Sequence, residues 1–145
     1  MLAIVPTFPS LQPELEASPI VASAWLFGSV SRGEAREDSD LDVAVLLRDR
    51  RATALTHRRE LMDLAARLER AAGRRVDLVV LGLHDPIVAH RVLREGRLVH
   101  DADPERRIDF TSDALSRYLD WAPRYRAAAA RSLEVNRAWA AERQR

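Results

Sequence analysis

Apolar positions along the chain gather into short runs divided by turn residues, and the runs alternate between two periodicities. "IVASAWLFGS" (Ile20 to Ser29) is almost continuously apolar and stops at Gly28, and "LDVAVLL" (Leu41 to Leu47) and "RRVDLVVLGL" (Arg74 to Leu83) share that character. Runs of this length, rich in β-branched and large apolar residues, predict buried strands. Between the second and third the period changes. In "TALTHRRELMDLAARLERAAG" residues Leu61, Leu64, Ala65, Leu68 and Ala72 recur at helical spacing, with Gly73 where a C-cap belongs. "DPIVAHRVLREG" (Asp85 to Gly96) predicts a short helix with Pro86 in its first position and Gly96 past its end, and "RLVHDA" suits a short edge strand. A short helix is also expected near Ser10 to Ala17, with Ser10 as its N-cap. From Pro104 onward the pattern is helical, and Pro123 is expected to break it in two.

Strands alternating with helices predict an α/β fold, and 145 residues suit one domain. Residues 1–102 would form the core and residues 103–145 a helical extension. The extension has its own amphipathic pattern, with Leu115, Tyr118, Leu119, Val135 and Trp139. It would pack on the core or offer a surface to a partner.

Composition removes several partners. The 23 basic and 22 acidic residues leave a formal net charge of +1, so no global field draws the protein to nucleic acid or an acidic membrane. Arginines from Arg124 to Arg145 are interleaved with alanines and acids, as on a solvated helix face. There is no cysteine, hence no disulfide framework and no thiolate metal site. The opening "MLAIVPTFPSLQPELEASP" lacks a basic n-region and is broken by prolines, and no apolar run approaches the roughly 20 residues of a membrane span. A soluble, cytoplasmic protein is expected.

Two of the strands carry residues that a buried strand does not need. Asp40 and Asp42 stand two apart, so both carboxylates would project from one face with Cα atoms about 7 Å apart. Asp77 interrupts the third apolar run, where packing alone would favour valine or isoleucine. Ionised carboxylates sharing a buried face repel one another and lose hydration unless a cation or hydrogen-bond donors offset the cost. A hard ion such as Mg²⁺ suits such acids, because it completes its shell with water and phosphate oxygens. The preceding turn supplies the complement: Gly28 lets the backbone approach closely, and Ser29 offers an N–H and a hydroxyl to a phosphate. Gly28 alone would be a turn residue and Ser29 alone a helix cap; only the ensemble promotes them. Arg32 and Arg36 are near enough in sequence to neutralise a triphosphate, and spacing does not say which points inward. The four histidines are too scattered to form a ligand set.

The string "GSVSRGEAREDSDLDVAVL", with Asp77 in a later strand, resembles the DNA polymerase β-like nucleotidyltransferase superfamily, and most of all its minimal nucleotidyltransferase branch. Members of that branch often act as antitoxins to a neighbouring HEPN-domain toxin. The resemblance implies a small mixed β-sheet flanked by helices. It implies transfer of AMP from ATP to a hydroxyl, in the antitoxin branch a tyrosine of the toxin, with pyrophosphate leaving. By the family's motif, Asp40 and Asp42 would bind two Mg²⁺ ions, Asp77 would hold the catalytic ion and assist deprotonation, and Gly28 and Ser29 would contact the β and γ phosphates, with Arg32 as a further nucleotide contact. The partners implied are ATP and a HEPN-type toxin in a hetero-oligomer.

Two other functions compete. Nucleotidyl transfer to a small molecule, as in the related aminoglycoside-modifying enzymes, would need a larger second domain than about 40 residues of helix provide. An antitoxin that only masks its partner would have no use for three strand-borne acids that β-propensity disfavours.

Overall fold

The computed structural model describes residues 8–143. The reading of the opening segment falls in part on residues 1–7, which lie outside the described residues. Nine elements follow one another: α1 (Leu11–Glu16), β1 (Val21–Phe27), α2 (Gly28–Ser31), β2 (Leu41–Leu47), α3 (Arg58–Ala72), β3 (Val76–Val80), α4 (Pro86–Glu95), β4 (Arg97–Asp101) and α5 (Pro104–Arg143). The four strands form one sheet in the order β3-β2-β1-β4. β1 runs antiparallel to both β2 and β4, whereas β2 and β3 are parallel. The sheet is therefore mixed, as the resemblance implied. A parallel pair needs a long crossover, and α3 provides it.

The alternation of side chains sorts the strands into two cores. Val43 and Val45 of β2 pack with Leu26 and with Leu11, Leu15, Leu61, Leu64 and Leu68 from α1 and α3. Ala44 and Leu46, pointing the other way, pack with Trp25 and with Ala89, Val92, Phe110 and Ala114 from α4 and α5. Helices cover both faces, which is why β1 and β2 read as continuous apolar runs. Arg67 ties α3 to α1, its guanidinium 3.0 Å from both Glu14 and Asp63. On the opposite side Asp101 accepts from Ser23 Oγ at 2.9 Å and from Arg107 Nε at 3.0 Å, joining β1, β4 and α5.

Several helix ends obey the expected chemistry. Gly73 closes α3 at φ 68°, in the left-handed region. Asp85 caps α4 by accepting from the Val88 N–H at 3.1 Å, with Pro86 at the first position. Asp103 similarly accepts from the Arg106 N–H at 3.0 Å, opening α5.

Three expectations are corrected. Ser10 stands at the N-cap of α1 as expected, but its side chain makes no capping bond; its hydroxyl donates instead to the Ala71 carbonyl at 2.9 Å, a tertiary tie between α1 and the end of α3. α3 starts at Arg58 rather than near Thr53, because Thr53 and Thr56 satisfy one another in a turn. Pro123 does not end the last helix, since α5 continues through it to Arg143. The proline removes one backbone donor, and the carbonyl left without it belongs to Leu119, a residue 63% exposed. The two halves of α5 differ: Phe110, Ala114 and Ala122 are buried, and every described residue from Pro123 to Arg143 is exposed.

Candidate functional site

β1 delivers Phe27 in extended conformation, and the chain then reverses through Gly28 at φ 72° into the single turn of α2. Only glycine holds that conformation without strain. It is also required sterically: a Cβ at Gly28 would stand 2.1 Å from Asp42 Oδ2. The turn is fixed from within, the Ser31 hydroxyl donating to the Gly28 carbonyl at 3.0 Å and the Glu34 N–H to the Ser29 carbonyl at 2.9 Å. The loop beyond it is held by Arg74, whose guanidinium donates to the Ser39 carbonyl at 3.3 Å.

Phe27, Asp42 and Asp77 are register partners across β1, β2 and β3. Cross-strand partners present their side chains on one face about 4.8 Å apart, so the two carboxylates are neighbours by construction of the sheet. They occupy the α4 face. Asp42 is half-buried, and its carboxyl is held above the ordinary range first by burial, then by the negative charges of Asp77 and Asp40, with Arg32 opposing. Asp40 departs from the expected strand position: it precedes β2 and is exposed, though its charge still acts on Asp42. Asp77 departs as well, being exposed because β3 is the sheet's edge. The burial cost inferred for three acids thus falls mainly on Asp42.

A cavity of about 590 Å³ opens on this face, lined by Gly28, Ser29, Arg32, Asp42 and Asp77 on one side and by Val88, Ala89 and Arg91 of α4 on the other. Its size is that of a small-ligand site. Asp40 and Arg36 are not among its lining residues, which answers the question of which arginine faces inward. Arg32 also contacts Glu34 at 3.1 Å and Glu95 at 3.9 Å. The α4 wall, with His84 and Asp85 at its start, carried no signal in the sequence beyond an amphipathic helix.

Residues 10–105 match the family described as Polymerase beta, Nucleotidyltransferase. The chain is a nucleotidyltransferase of this family. No curated protein matches it. Among solved structures, the nucleotidyltransferase fold is shared with a toxin-antitoxin bound to AMP-PNP, at 23% identity and TM-score 0.69, covering 88% of this chain and 99% of that one. It is shared too with a MntA-HpeT toxin-antitoxin mutant, at 22% identity and TM-score 0.71 over 88% and 99% of the two chains. A tri-AMPylated Shewanella oneidensis HEPN toxin in complex with MNT antitoxin gives 23% identity and TM-score 0.61, over 83% and 91%.

The donor set of this nucleotidyltransferase fits a hard divalent cation. Burial, and then the charges of Asp77 and Asp40, disfavour the ionised form of Asp42, and a cation held by Asp42 and Asp77 would favour it. Among the described residues, no group of three or more His, Cys, Asp or Glu side chains is already drawn together to hold a metal.

Proposed function

We propose that this nucleotidyltransferase moves AMP from ATP to a hydroxyl of a HEPN-type toxin, a tyrosine by the family resemblance, and so acts as its antitoxin. The observation that carries the reading is the Asp42 and Asp77 pair set beside the Gly28-Ser29 turn on one wall of a cavity, within a chain of this family. The solved toxin-antitoxin complexes of the same fold support the choice of partner.

In this reading Gly28 and Ser29 hold the β and γ phosphates through the turn backbone and hydroxyl, and Arg32 adds positive charge at the cavity's lip. Asp42 and Asp77, with Asp40 beside them, would hold Mg²⁺, and two such ions would supply charge stabilisation to the entering and leaving oxygens of an in-line displacement. The acceptor oxygen forms a bond to the α-phosphorus while the bond from that phosphorus to the bridging oxygen breaks, and pyrophosphate leaves with the electron pair. Asp77, open to solvent at the edge of the sheet, takes the acceptor's proton and returns it to water.

The test is the intact mass of a HEPN-type partner after incubation with this protein, ATP and Mg²⁺, beside an Asp42→Asn control. A gain of one or more AMP units that the control lacks supports the reading. A stable complex with no mass gain would replace it with masking by binding, and neither complex nor gain would move the acceptor to small molecules.

A further inference from the structure

The wall of the cavity opposite the acids carries a cation that the function above does not use. Arg91 lines the cavity from α4, and it takes part in none of the ion pairs among the described residues. Arg32, by contrast, already contacts Glu34 and lies near Glu95.

The position of Arg91 follows from α4. Glu95 is four residues further along, so the two side chains share a helix face about 6 Å apart along the axis. Arg32 reaches Glu95 at 3.9 Å, and Arg91 stands one helical turn before that glutamate. The end of α4 comes down on β1: a Cβ at Gly96 would meet the Leu26 carbonyl at 3.3 Å, two residues before Gly28. Arg91 thus lines the same cavity as Gly28 and Ser29 from the half of α4 nearer β1, while His84 and Asp85 belong to the opposite end of the helix.

We propose that Arg91 binds the terminal phosphates of the nucleotide donor and holds the departing pyrophosphate against the turn. The inference rests on the nucleotidyl-transfer reading. A triphosphate entering beside Asp42 and Asp77 brings further negative charge, and a guanidinium without a carboxylate partner retains its whole charge for phosphate oxygens, which its planar fork grips two at a time.

The experiment is a calorimetric titration of the full-length protein, Arg91→Ala and Arg91→Lys with AMP-PNP and separately with AMP, both with Mg²⁺. Arg91→Ala should weaken AMP-PNP binding by ~10- to 100-fold, as expected for lost charge-assisted hydrogen bonds, and change AMP binding by less than about twofold. Arg91→Lys should recover part of the loss. Unchanged AMP-PNP affinity in Arg91→Ala, or an equal loss for AMP, overturns the role of Arg91 while the wild-type titration still supports nucleotide binding. A wild-type protein that binds neither nucleotide overturns the underlying reading as well. Arg91 is exposed, so the thermal midpoints of all three proteins should agree.

Discussion

Gly28 and Asp42 are locked together, because the missing Cβ of one is the space that the carboxylate of the other occupies. Gly28→Ala should destabilise the fold by ~1 kcal/mol through its positive φ alone and displace the Asp42 carboxylate, lowering transfer activity by ~100-fold or more; thermal unfolding and the mass assay check the two effects. Asp42 itself is a stabilising mutation waiting to be made. Its folded-state pKa is raised, so the folded chain releases this proton at higher pH than the unfolded chain, and the stabilisation present at low pH is lost as pH rises through the raised value. At neutral pH Asp42→Asn removes that repulsion. It should abolish activity and Mg²⁺-induced stabilisation while raising the melting temperature of the metal-free protein, as measured by calorimetry with and without Mg²⁺. Gly28, Ser29, Asp42 and Asp77 were legible in the sequence because their types contradict what an ordinary strand and turn require. The exposure of Asp40 and Asp77 was not, since it depends on where β2 starts and on which strand becomes the edge. Arg91 was hidden for a similar reason: nothing local to "VAHRVL" says which sheet face α4 will cover.

Elements were read well where periodicity and caps agreed, as in α3 and α4, and poorly where a proline met a helix without tertiary partners. Pro123→Ala should strengthen α5 locally by up to ~3 kcal/mol, slowing amide hydrogen exchange around residue 123 with little change in the global melting temperature, because the helix beyond Ala122 packs on nothing described. β4 carries a pH dependence of its own. His100 is 6% exposed, and burial, aided by Arg48, holds its imidazole pKa below 6.5, with Glu16 and Asp101 opposing. The unfolded chain takes up this proton at the ordinary value and the folded chain only at lower pH, so its stabilising contribution is complete above that range and is lost as pH falls through it. The melting temperature should decline from about pH 7 toward pH 5, and His100→Gln should flatten that decline.

Across the whole molecule, the residues brought to the cavity span Phe27 to Arg91, and the parallel pairing of β2 with β3 makes their assembly non-local. No described helix is long and apolar enough to cross a membrane. The exposed apolar residues gather on α5, including Leu133, Val135 and Trp139 at 59%, 57% and 61% exposure. Phe110, fully buried between sheet and helices, anchors α5, and Phe110→Ala should cost about 3–5 kcal/mol in denaturant unfolding. α4 is clamped between the sheet and α5, its Ala89 and Val92 packing in one core with Phe110 and Ala114, and its His90 stacked on Tyr118 with ring centroids 3.5 Å apart. A ribosome making this chain therefore releases both acids and the glycine turn well before the helix that steadies the cavity's far wall. Until the stretch around Tyr118 has emerged, α4 lacks the helix against which its His90, Ala89 and Val92 pack.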